Sequence, residues 1–152
     1  MMKKAQKISK NYDKTKNAMA NVKINYAHIC DMAFLSQGGK ANVIGIFKNV
    51  FSKNFPASHP KFSVIVSVSV DNMRGAHEEK IKIFRKSDQK MIGPEIKVQF
   101  NIQNDQQELN FMADIVNIIF EKPDEYEVKI FFDEEEIHSV PFQVIQSKDG
   151  IN

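Results

Sequence analysis

Residues 45–70 read GIFKNVFSKNFPASHPKFSVIVSVSV, and the last nine of them decide the fold class. Phe62, Val64, Val66, Val68 and Val70 point one way, and Ser63, Ile65, Ser67 and Ser69 point the other. That period of two marks a β-strand with one buried face. Its register is tightly specified, because a slip of one residue would put five large apolar groups in water. Ahead of it, 51–61 reads as a long loop, since Pro56 and Pro60 cannot donate to a ladder and hold the chain extended. Ahead of the loop, 41–50 reads as a strand. Its Val43, Ile44, Ile46 and Phe47 are apolar on both faces, which predicts a central strand, and Gly45 predicts a bulge or a close backbone approach.

Working outward, 22–35 is a first strand, joined to the next by a hairpin loop at 36–40 in which Gly38 and Gly39 supply positive φ. After the central strand, 71–77 turns. Residues 80–84 form a strand whose Lys80 and Lys82 suit a sheet edge, because lysines discourage further pairing. Residues 87–94 form a loop, and 96–102 alternate as a half-buried strand. The segment 109–120 fits a strand through Leu109, Phe111, Ala113 and Ile115, and a helical face through Leu109, Met112, Ala113 and Val116. A strand with an irregularity near Asn117 agrees better with its neighbours. Residues 126–132 and 137–145 are the last two strands, joined by an acidic turn at 133–136.

The expected fold is all-β: an antiparallel immunoglobulin-like β-sandwich of about eight strands, occupying 21–146, with 147–152 frayed. Tyr126, three residues after Pro123 and opening the penultimate strand, is similar to the tyrosine corner of such folds. A chain of 152 residues fits one domain with a sizeable core. Twelve phenylalanines and no tryptophan lean toward β structure. The single Cys30 cannot form an internal disulfide, no apolar run reaches membrane-spanning length, and no apolar stretch backs the N-terminal lysines. A cytoplasmic protein with no membrane contact is expected.

The stretch Gly39-Lys40-Ala41-Asn42-Val43-Ile44-Gly45-Ile46-Phe47, then Phe55-Pro56, His59-Pro60 and Phe62, resembles a family of uncharacterised bacterial proteins known only as a domain of unknown function. The closing pattern Tyr126-x-Val128 through Pro141-Phe142-x-Val144 is similar too. The resemblance covers most of 22–145 and departs from the family at Asp124, where glycine is expected more often, and in the basic tail. It implies the fold and brings no activity, cofactor or catalytic residue.

Residues 1–20 differ from the rest. Lys3, Lys4, Lys7, Lys10, Lys14 and Lys16 face Asp13 alone, a net +5 in a chain of net +2, so 21–152 carry −3. The segment is expected to be a disordered solvated tail, with a basic arm for nucleic acid as the alternative. A third reading starts translation at Met19.

Chemistry-bearing residues are sparse. His28-x-Cys30-Asp31 puts His28 and Cys30 on one strand face, but a structural zinc site uses four ligands and no second pair is present. His59 lies between Ser58 and Pro60 with no nucleophile or orienting acid in view, so it reads as a loop-ordering residue; His77 and His138 read likewise. There is no nucleophile-elbow, phosphate-loop or dinucleotide motif. No enzyme, no cofactor and no metal are expected. The candidate contact loop is Phe51, Phe55, Pro56, His59 and Pro60, long, proline-stiffened and aromatic. The alternative tucks its phenylalanines into the end of the core.

If successive strands alternate in direction, loops 36–40, 71–79, 103–108 and 133–136 share one end. Lys40 and Arg74 there face nine acids, including Asp71, Asp105, Asp133, Glu134, Glu135 and Glu136. Loops 51–61, 85–95 and 121–125 share the other end at a net +1, and the basic tail is expected to enter there, so the molecule is expected to be acidic at one end and basic at the other. The functional expectation is a binding or assembly module acting through contacts with another protein or with itself, one end docking a charged partner.

Overall fold

The computed structural model describes residues 21–149. Among them are nine strands and no helix: β1 (Val22–Leu35), β2 (Ala41–Ile46), β3 (Asn49–Ser52), β4 (Ala57–Asp71), β5 (Gly75–Arg85), β6 (Lys90–Ile102), β7 (Gln106–Phe120), β8 (Asp124–Phe132) and β9 (Glu135–Gln146). They form a four-stranded sheet, β2-β1-β4-β7, and a five-stranded sheet, β3-β9-β8-β5-β6.

The alternating strand organises the core. β4 lies between β1 and β7, and Phe62, Val64, Val66, Val68 and Val70 are all buried on its inner face. From the five-stranded sheet, Ile81, Ile83, Tyr126, Val128, Ile130, Phe142 and Val144 join the same core. Ring contacts stitch the sheets together: Phe62 to Phe142 at 6.2 Å, Phe120 to Tyr126 at 4.9 Å and Phe100 to Phe111 at 4.7 Å between centroids. On the outer face of β4, Ser63 donates to Asp114 at 2.6 Å and Asn25 donates to Ser69 at 2.9 Å. Segment 109–120 is strand throughout. Its inward face changes parity at Asn117, whose φ is +52°: Phe111, Ala113 and Ile115 are buried before it, Ile118 and Phe120 after it.

Four expectations are corrected. The strand at 41–50 is two strands in different sheets. β2 is an edge strand of the first sheet rather than a central one, and β3 crosses over to pair with β9, in parallel. The all-antiparallel reading fails at that pair. β3 and β4 also take up both flanks of the expected loop at 51–61, leaving 53–56 between them. Finally, β5 lies inside its sheet, between β8 and β6. Its lysines do not guard an edge, since each is engaged on the outer face: Lys80 pairs with Glu78 and Glu134, and Lys82 sits 4.7 Å from the Phe131 ring centroid.

Strand directions set the two ends. The chain enters at Asn21, whose carbonyl accepts from the Asp71 amide at 2.9 Å. Residues 72–74, 103–105 and 133–134 lie at that same end, while 36–40, 53–56, 86–89 and 121–123 lie at the other. Two expectations about the ends are thereby overturned. Loop 36–40 is opposite the acidic loops, because the expected single strand 41–50 reverses direction between β2 and β3 and so adds one strand to the alternation. The chain enters at the acidic end rather than the basic one. The tail itself, 1–20, and positions 150–152 of the segment expected to fray lie outside the described residues. Ser147 is tied by its amide to the Ser52 carbonyl at 3.0 Å.

Candidate functional site

The first candidate surface grows from a local break in the first sheet. β1 pairs with β4 from Val22 to Cys30 and with β2 from Cys30 to Leu35. Residues beyond Cys30 therefore leave β4 and, with β2, form a two-stranded arm. Gly45 permits it. Its φ is +69°, a conformation glycine adopts without strain, and the Asp31 carboxylate lies where a Cβ would stand. Met32 pairs with Ile44 and Cys30 with Ile46, so Met32, Ile44 and Ile46 share one face with Phe34. Ile44 is 53% exposed and Ile46 is 55% exposed; Met32, Phe34 and Leu35 are exposed too. Neither Lys40 nor Lys48, which flank β2, makes an ion pair with a described residue. This arm is a contiguous apolar surface on a free strand edge, a combination that folded proteins ordinarily cover or charge.

The second surface is a cleft of about 470 Å³ between β7 and the β5–β6 pair. β6 bows away from β5 there. Ile81 pairs with Ile96 and Ile83 with Ile92, so three residues of β6, Gly93, Pro94 and Glu95, stand opposite Lys82 alone. Gly93 has φ +68°, and Pro94 has no amide to contribute. The cleft floor is Ile81, Ile83, Ile92, Ile96, Ile115 and Ile118; its lip on β7 carries Val116, 60% exposed, and Ile119, 56% exposed. β7 and β6 are terminal strands of their sheets, so both present unpaired backbone edges here. Asp114 stands at the rim, 3.1 Å from the Lys61 ammonium; the Ser63 hydroxyl and Lys61 hold its carboxyl below the usual range.

The residues singled out from sequence behave differently. Phe51 lies in β3, half-buried, and Phe55 packs against the core, while Pro56 and Pro60 are exposed. The His59 ring lies 5.7 Å from Phe62 and 6.3 Å from Phe47, and burial pushes its pKa down, favouring the neutral ring. The loop is thus built mainly into one end of the core. His28 and Cys30 do share a face, opposite Ile65 and Ser63 of β4. His28 stacks on Tyr26 at 5.6 Å, and the buried Cys30 thiol donates to the Ser63 carbonyl at 3.6 Å with its pKa raised by burial. No three His, Cys, Asp or Glu residues converge on a metal-sized site among the described residues.

Asp71, Asp105, Asp133 and Glu134 lie on loops and strand ends at one end of the fold, with Glu135 and Glu136 opening β9 there. Several are already engaged. Arg74 donates to Asp105 at 2.6 Å, His77 bonds Asp133, and Lys80 bonds Glu134. Glu79, counted from sequence with these loop acids, is instead in the core at 1% exposure, on the inner face between Val98 and Phe132. Neither of its carboxyl oxygens has a hydrogen-bond partner among the described residues, and burial pushes its pKa up to about 8.

A model described as "Family of unknown function (DUF6941)" matches residues 25–145. No curated protein matches the chain. Among solved structures, an alkylpurine DNA glycosylase, AlkC, from Pseudomonas fluorescens, bound to DNA containing an abasic site analog, is 9% identical with a TM-score of 0.46; the match covers 84% of this chain and 31% of that one. A beta-glucosidase from Listeria innocua is 8% identical with a TM-score of 0.47, covering 81% of this chain and 16% of that one. A glycosyl hydrolase family 2 member from Bacteroides cellulosilyticus is 10% identical with a TM-score of 0.33, covering 58% and 12%. The chain spans about a third or less of each of these proteins.

Proposed function

The chain belongs to that family of unknown function, and on this premise we propose that the domain is a non-enzymatic protein-contact module whose working surface is the β1–β2 arm. One observation carries the proposal: Met32 and Phe34 of β1 with Ile44 and Ile46 of β2 form an exposed apolar face on an arm whose outer strand, β2, has no partner on its far edge among the described residues. The histidines give catalysis little support, since His59 is packed among rings and His28 is stacked on a tyrosine. The immunoglobulin-like reading of the fold belongs to the same proposal. It is supported by the Tyr126 hydroxyl donating to the Lys122 carbonyl at 2.8 Å, four residues upstream, and by β9, β8 and β5 lying side by side opposite β1, β4 and β7. A cytoplasmic setting suits the free, buried Cys30. No helix of the described residues is long and apolar enough to cross a membrane.

The test is a photo-crosslinking side chain placed at Ile44 in cells that make the protein, with the same group at Lys53 on the loop after β3 as control. A discrete protein adduct from position 44 and none from position 53 is expected. Absence of any protein adduct at 44 would refute the reading.

A further inference from the structure

We infer that the occupant of the β6–β7 cleft is the β1–β2 arm of a second copy of this chain. This rests on the contact-module reading and names its partner. The two surfaces are complementary in four respects. The arm offers aliphatic side chains that lack cover, Ile44 and Ile46, and the cleft offers an aliphatic floor of six isoleucines. β2 is one terminal strand of its sheet and β7 is the other, so a β2 edge laid on the β7 edge of a neighbour continues the same sheet and satisfies both rows of backbone groups. The lengths agree: β2 has six residues, and the cleft is lined by six consecutive residues of β7, 114–119. The ends agree in charge. Lys40 and Lys48 bracket β2, and the half-exposed carboxylates of Asp114 and Glu121 bracket the cleft strand. The carboxylates already hold cations of their own chain, Lys61 for Asp114 and both Arg85 and Lys90 for Glu121, and each has acceptor capacity for one more.

The chain outside the described residues is a poor alternative occupant. Residues 1–20 contain one isoleucine, Ile8, and no valine or leucine to meet an aliphatic floor, and 150–152 are too few to form a strand. Because arm and cleft are different surfaces, the contact is heterologous: each copy lends its arm to the next and receives the arm of the one before, so the association runs head to tail.

Sedimentation equilibrium on the purified full chain tests this with two variants, Ile44→Lys on the arm and Val116→Lys on the cleft lip. Both positions are more than half exposed, and circular dichroism checks that the fold is kept. Wild type is expected to gain mass with concentration. Each variant alone is expected to sediment as a single chain, and an equimolar mixture as twice the chain mass, because one good arm then meets one good cleft. The inference is overturned if wild type stays at one chain mass throughout, if either variant still self-associates, or if the mixture stays monomeric. A monomeric wild type whose position 44 crosslinks to a different protein in cells would overturn this inference and leave the contact-module reading standing.

Discussion

Glu79 gives the structure a pH dependence of unusual sign. Its carboxyl is buried without a hydrogen-bond partner among the described residues, and burial lifts its pKa from 4.5 to about 8. Between those values the unfolded chain has released the proton and the folded chain still holds it. The unfolded state therefore binds fewer protons, and stability falls as pH rises. It is greatest below 4.5 and is lost progressively up to about 8. A shift of that size corresponds to roughly 5 kcal/mol across the window, an upper value because local opening admits water. Glu79→Gln removes the titration and leaves a buried amide whose cost does not depend on pH. Urea unfolding followed by far-ultraviolet circular dichroism at several values between 4.5 and 8 is the assay, read as the difference between variant and wild type. That difference should move in favour of Glu79→Gln by several kcal/mol as pH rises, on the order of the linkage limit. Parallel profiles, within about 1 kcal/mol, would show a solvated carboxyl and refute the reasoning.

Other perturbations follow from single contacts. His59 carries the opposite linkage: burial lowers its pKa, so it contributes stability above the ordinary value of 6.5 that is lost as pH falls through its folded value, and His59→Phe should flatten that acid-side loss in the same assay. Tyr126→Phe removes the bond to the Lys122 carbonyl and should cost about 1 kcal/mol with the fold kept, read by urea midpoint. Gly45→Ala should cost about 1–2 kcal/mol, because the positive φ penalises a Cβ and the Asp31 carboxylate must move. Phe62→Ala, at the junction of both sheets, should cost about 3–5 kcal/mol and lower the thermal midpoint accordingly.

The parts of the fold that were legible in the sequence are those where one face is wet and the other dry. β4 declares itself through five alternating apolar residues, and β7 shows its irregularity at Asn117. β2 misled because Val43, Ile44 and Ile46 are apolar on both faces. That pattern suits a central strand covered on both sides, and equally an edge strand that keeps apolar groups exposed. Only long-range pairing tells them apart. Glu79 was closer to reach. It has the same parity as Ile81 and Ile83, so starting that strand one residue earlier would have turned it inward. Gly93 and Pro94 read as the end of loop 87–94 and lie instead within β6, and a cleft there needs β7 opposite them, a pairing that is not written in local periodicity. The end-to-end charge layout failed at loop 36–40 for a related reason: 41–50 reads as one strand, and β2 and β3 run in opposite directions, which shifts the alternation by one for every loop before them.

The central claim is that the two outer edges of the β2-β1-β4-β7 sheet are docking surfaces. Amide hydrogen exchange on the purified chain, compared between dilute and concentrated solution, measures it most directly. The account predicts slower exchange at high concentration in β2 and in residues 114–119 of β7, with β3 and loop 53–56 unchanged. Exchange in β2 and β7 that is independent of concentration, or protection that appears at loop 53–56 instead, would contradict it.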